Sequence, residues 1–260
     1  MIHPLALLML AFPLLVRADE AVDKLTSAGI TEFSAAYQAW DGGRFGAAAE
    51  IFRQACTMAP DSGVNFYWQG AARFHRLLYL RGQPESEAIT KAADAAMDGA
   101  VAALETAVKL DAGHAECHAL LGTLYGMKIN GGMLRAVRYG PAVAKHQKQA
   151  LQCGADNPRV RYLLGTGLFH TAEDVASWRE ALTTLLAAEK LFAAEAKRAA
   201  KPFEPRWGQS SCLTFIGRTY EKLGQRTEAA AYFRKALAQH PADHLASAGL
   251  ARVTAGKAGK

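Results

Sequence analysis

Apolar residues recur along this chain at helical spacing, in paired stripes that face one another. Near the C-terminus, Leu213, Ile216, Gly217 and Tyr220 mark one face of a helix that Gly224 ends. Ala229, Phe233 and Ala236 form the matching stripe of a second helix, which Pro241 stops. The small residues Gly217, Ala229 and Ala236 let the two helices come close. The same arrangement returns upstream with less regularity. Gly43, Phe45, Ala48, Phe52, Ala55 and Pro60 hold the same offsets. Gly70 pairs with Ala100, Leu104 and Ala107, while His118, Leu121, Gly122 and Tyr125 pair with a helix over 142–155. Arg161, Leu164 and Gly165 pair with Ala181, Leu185 and Ala188.

These stripes predict five helix pairs, over residues 29–62, 63–113, 114–157, 158–205 and 206–243. Residues 244–257 form a capping helix over the last open apolar face. Three of the pairs run ten residues or more past the roughly 34 of a regular two-helix repeat. The second gains a stretch at Arg81–Ala88, the third holds Asn130–Pro141 between its helices, and the fourth runs on to Pro205. Composition agrees with an all-α fold, since half of the 260 residues are apolar and runs of Val, Ile and Thr are scarce. With 23 Gly and 9 Pro and 21% charged residues, neither a collagen-like nor a disordered chain fits.

The segment from 210 to 243 resembles the tetratricopeptide repeat at essentially every position of its pattern. That resemblance implies an α–α superhelix and a non-catalytic scaffold that holds a partner peptide or helix in a concave groove. Carried onto this sequence by register, the groove-facing positions are Tyr67, Phe74, His75, Thr123, Met127, Tyr162, Thr166, Phe169, His170, Arg218 and Lys222. Phe33, Tyr37, Trp40 and Glu221 fall at equivalent positions. Chaperone-binding members of the family clamp a carboxylate with Lys and Asn, where this chain has Tyr67 and Ala71, or Tyr162 and Thr166. A cytosolic chaperone adaptor is therefore not expected.

The N-terminus reads as an export signal over residues 1–18. Pro4–Val16 is an apolar run too short for a membrane span, and Ala18 precedes the acidic pair Asp19-Glu20, where cleavage is expected. The first cysteine after the run is Cys56, so a lipid anchor is not expected, and the protein is placed in the periplasm. Cys56, Cys117, Cys153 and Cys212 form no CxxC and sit in apolar helical stretches, where Cys acts as a small hydrophobe. An even count in an exported chain permits disulfides without fixing any.

Thirty Lys and Arg against 24 Asp and Glu give +6, spread among carboxylates as in Arg218, Glu221, Lys222, Arg226 and Glu228. No nucleic-acid partner is expected, and membrane contact is expected only through partners. The basic insertion with Lys128, Arg135, Arg138, Lys145 and Lys148 reads as a solvated loop face. GxSxG, HExxH, P-loop and Rossmann fingerprints do not occur, so no enzyme and no cofactor are expected. His114 with His118, and His240 with His244, are spaced i, i+4, but two ligands fall short of a metal site. An accessory protein that holds a small ligand or metal for an envelope transporter or redox system is the alternative to the scaffold.

Overall fold

The structure is a computed structural model and describes residues 5–129 and 131–255; of residues 5–18 it describes the backbone alone. Among the described residues there are eleven helices and no strand. The described residues form two compact units, one within residues 5–37 and 41–110, the other within residues 38–40, 111–129 and 131–255.

The first unit holds α1 (Leu5–Ala39) as far as residue 37, with α2 (Gly42–Met58), α3 (Gly63–Arg81) and α4 (Glu87–Leu110). Helix α1 starts far upstream of residue 29, and residues 1–4 of the expected export signal lie outside the described residues. Asp41 caps α2 by accepting from the amides of Gly43 and Arg44. The core of the unit is aromatic: Phe33 stands 5.6 Å from Phe45, 5.2 Å from Trp68 and 5.1 Å from His75, and Trp68 stacks on Phe52. Between α3 and α4, Gly70 receives Leu104.

The second unit holds α5 (Ala115–Ile129), α6 (Met133–Gly154), α7 (Pro158–Thr171), α8 (Val175–Glu195), α9 (Gln209–Lys222), α10 (Arg226–Gln239) and α11 (His244–Thr254). The pairs α5/α6, α7/α8 and α9/α10 pack as hairpins, and α11 lies against α9 and α10. Caps are written into the sequence. Asn157 caps α7, with Pro158 in its first turn; Asp174 and Ser177 form a capping box on α8; Asp243 caps α11. Gly224 takes φ +75° just after α9, where its amide bonds to the Glu221 carbonyl and that of Gln225 to the Tyr220 carbonyl. This is the left-handed helix ending that glycine allows without steric cost. Residues 256 and 257 of the expected cap lie outside the described residues.

Helix α6 corrects one expectation. The stretch up to Pro141 is helix rather than loop from Met133 onward, and Pro141 sits inside it. A proline there has no amide hydrogen to give the carbonyl four residues back, that of Val137, yet the helix continues on both sides. All four thiols are unpaired, with Cys56, Cys117 and Cys212 buried and Cys153 exposed. Burial pushes the Cys56 thiol up to about 12, so it packs as a hydrophobe. Among the described residues, no helix is long and apolar enough to cross a membrane.

His75 makes the first unit sensitive to acid. Its ring is enclosed by Phe33, Tyr37, Phe45 and Phe74, its Nδ1 lies 2.8 Å from the Ala71 carbonyl, and burial pushes its pKa from 6.5 to about 4. Between those values the unfolded chain takes up a proton that the folded chain refuses. The stabilisation is therefore complete above pH 6.5 and is lost as pH falls toward 4. Denaturant titration should show about 2 kcal/mol lost between pH 7 and pH 5, and His75→Gln should flatten that dependence.

Candidate partner-binding surface

Helices α7 and α9 pack side by side and bring aromatic and basic side chains together. Phe215 on α9 stands 5.4 Å from Phe169, 5.6 Å from His170 and 6.3 Å from Tyr162, ring centre to ring centre. The Arg218 guanidinium lies 4.7 Å from the Phe215 ring centre and 4.8 Å from that of Phe169, so both rings present it with a negative face. One turn further along α9, the Lys222 ammonium lies 5.8 Å from the Trp178 ring centre. No carboxylate among the described residues comes within ion-pair distance of Arg218; the nearby Glu221 is held by Arg252 at 2.8 Å. Burial and the charge of Arg218 both lower the pKa of His170, in that order.

The groove positions read by register divide according to burial. Tyr67, Phe74 and His75 lie inside the first unit at 1–3% exposure, so their side chains are core rather than groove wall. Tyr162, Thr166 and Phe169 are also buried; Thr166 gives its hydroxyl proton to the Leu163 carbonyl, and the two rings floor the surface that Phe215 and Arg218 form above them. Thr123, Met127 and Arg218 are half-buried, while His170 and Lys222 are exposed. Helical register alone does not separate an aromatic residue at a groove from one at the seam beneath it. Phe215 and Trp178 escaped the register, although Phe215 lies three residues before Arg218 and so shares its face.

A second polar cluster sits at the turns of the same unit. Arg159 is 2% exposed, its Nε donating to Glu116 at 2.7 Å and its Nη atoms to both oxygens of Glu195 at 2.5 and 2.9 Å. Asn157, which caps α7, also donates to Glu116 at 2.7 Å. Arg206 donates to the Glu195 carbonyl at 2.6 Å, and Arg198 and Arg206 hold Glu204, whose carboxyl Arg198 pulls down to about 2. This network ties α5, α7 and α8 to the irregular segment before α9. It lines a cleft of about 740 Å³ that also includes His114 and Cys153.

The paired histidines are engaged elsewhere. His118 Nδ1 lies 2.9 Å from His146 Nδ1 and its Nε2 lies 3.0 Å from the Ala112 carbonyl, while His114 Nδ1 accepts from the Cys117 amide. His240 Nε2 lies 3.0 Å from the Gln38 carbonyl. No group of three or more metal-ligating side chains occurs among the described residues.

The sequence pattern of one family, tetratricopeptide repeat, matches residues 211–253, which span α9, α10 and α11 almost to its end. This segment is a tetratricopeptide repeat. The chain resembles the thermophilic TPR protein TTC0263 of Thermus thermophilus, with a TM-score of 0.59 and 16% identity over 87% of this chain and 99% of that one. It resembles a chain of the APC/C hetero-tetramer Cut9–Hcn1 with a TM-score of 0.58 and 18% identity, over 95% of this chain and 40% of that one. At these identities the likeness is one of fold, and the fold is that of tetratricopeptide-repeat proteins. No curated protein sequence matches the chain.

Removing Arg159 strands two buried carboxylates. Arg159→Ala is expected to cost roughly 3–5 kcal/mol in denaturant titration. Arg159→Met combined with Glu116→Gln and Glu195→Met should recover most of that loss, because the Gln keeps an acceptor for Asn157. Equal losses in both variants would show that the charges are not the origin of the effect.

Proposed function

We propose that the protein is a non-catalytic scaffold of the cell envelope and that the α7–α9 surface of its second unit captures an acidic, aromatic-bearing segment of a partner protein. The observation that carries this reading is Arg218, held between the Phe169 and Phe215 rings without a carboxylate partner. A half-buried guanidinium fixed by two rings suits a carboxylate of the partner, and Phe215 with His170 offers a ring edge for an aromatic anchor. Lys222 over Trp178 extends the same chemistry along α9.

The small-ligand reading would place its ligand in the cleft beside Arg159, which has the size of a small-molecule site. Glu116, Asn157, Arg159, Glu195, Arg198 and Glu204 are already hydrogen-bonded to one another there, and the geometry favours the scaffold. Export is part of the proposal and rests on the apolar run Pro4–Val16 followed by Ala18.

An array of peptides that vary in acidic and aromatic content tests the surface. Acidic peptides with an aromatic residue should be retained and basic ones rejected. Arg218→Gln and Phe215→Ala should each weaken retention by about thirty-fold, the size of a hot-spot loss of ~2 kcal/mol. Both side chains are only half-buried, so the helical content should hold. Unchanged retention in both variants would sink the surface. Export is tested separately by expressing the chain in a double-membraned bacterium: periplasmic protein beginning at Asp19 is expected, and cytoplasmic protein that keeps residues 1–18 would overturn it.

A further inference from the structure

Residues 117–155 contain no Asp or Glu and carry Lys128, Arg135, Arg138, Lys145 and Lys148. That is a formal +5 on 39 residues, against +6 for the whole chain. The fold turns most of this stretch into α6, whose first six residues, 133–138, are exposed on every side. Met133, Leu134 and Val137 are 83%, 87% and 73% exposed, whereas no other large apolar side chain among the described residues exceeds 50%. Packing of α6 begins only with Tyr139, stacked 6.1 Å from Tyr125, and continues through the buried His146 and Ala150. The backbone around this tip is open as well: a Cβ added at Gly126, Gly131 or Gly140 would meet nothing within 4 Å.

Met133, Leu134 and Val137 share an arc of about 100° on the helix, with Arg138 and then Arg135 following around it. Apolar side chains left in water on an exposed helix tip, with basic side chains alone beside them in the same stretch of sequence, match an interface that is apolar below and anionic above. We infer that the N-terminal tip of α6 inserts its three apolar side chains into the surface of an anionic bilayer. The bilayer is favoured over a protein partner because the charge has one sign throughout the stretch and complements a continuous layer of phosphate headgroups. The long stems of Arg135 and Arg138 can lie along the acyl boundary while their heads reach those phosphates. Tyr139, with the Lys128 ammonium 5.9 Å and the Arg138 guanidinium 5.2 Å from its ring centre, sits where an interfacial aromatic residue would. This surface is distinct from the α7–α9 surface, and neither depends on the other.

The test uses the full chain with vesicles of phosphatidylcholine alone and of phosphatidylcholine mixed with phosphatidylglycerol. The apolar run Pro4–Val16 would partition into both, so the difference between the two vesicles isolates the tip. Co-sedimentation is expected to be stronger with the anionic vesicles. Met133→Ser/Leu134→Ser/Val137→Ser should abolish that gain, and Arg135→Gln/Arg138→Gln should reduce it by about thirty-fold. A Leu134→Trp variant should show fluorescence quenching by brominated lipid beyond that of the parent chain. Equal sedimentation with the two vesicles, or no added quenching at position 134, would overturn the inference. So would a loss in the Gln variant with none in the Ser variant, because that pattern marks a bare polyanion contact such as a nucleic acid would make.

Discussion

At Gly70, Gly165 and Gly217 the second helix of a pair rests on the backbone of the first. A Cβ at those positions would lie 2.5 Å from Leu104, 2.7 Å from Leu185 and 2.8 Å from Phe233. No side chain fits in that space, so each glycine makes room for one large residue of the second helix and locks it in place. The rest follows from that closeness. A hairpin packed so tightly fixes which flanks of its two helices are left over, and those flanks must be covered by the next element. Phe233 shows this directly, since it is pressed by Gly217 on one side and by Gly249 of α11 on the other. Helix α11 covers an apolar face that α9 and α10 cannot close by themselves.

Tight apolar seams leave the turns to polar chemistry, and the Arg159 network is the result. A guanidinium at 2% exposure has lost its water, and only paired carboxylates and caps at hydrogen-bond distance make that burial tolerable. Glu116, Asn157 and Glu195 come from three different places in the chain and converge because the helix pairs stack in one register. A shift of one turn between α5 and α7 would separate Arg159 from Glu116. Loss of one partner would leave a buried charge uncompensated, so the network penalises any stacking that separates its members.

This division explains what could be read from the sequence. The stripes at Leu213, Ile216, Gly217 and at Ala229, Phe233, Ala236 are local, so the helices and their close approach were legible. Pro141 was misleading because a helix can carry a proline when both of its flanks are otherwise strong. Tyr162 and Phe169 lay at groove positions by register, but they are covered by Phe215 and Arg218 from the next repeat, a contact some fifty residues away in sequence that no periodicity announces. The Arg159 network was equally invisible, since its carboxylates stand 43 and 36 residues away.

Charge was legible only at the right scale. Taken over the whole chain, cations and carboxylates alternate, and elsewhere they neutralise one another in pairs such as Arg44 with Glu32 and Arg252 with Glu221. Between Cys117 and Ala155 that alternation stops. The same stretch puts its most exposed apolar side chains on a helix tip that makes no seam with a neighbour until Tyr139. Elsewhere among the described residues, most large apolar side chains close helix seams and many charges meet a carboxylate or a ring. At the tip of α6 the apolar side chains close no seam, and the basic ones have no carboxylate in the same stretch of sequence. Unpaired charge of one sign and unburied apolar surface are each costly in a folded chain, and their coincidence on one turn of helix is physically consistent with a surface that meets something outside the molecule.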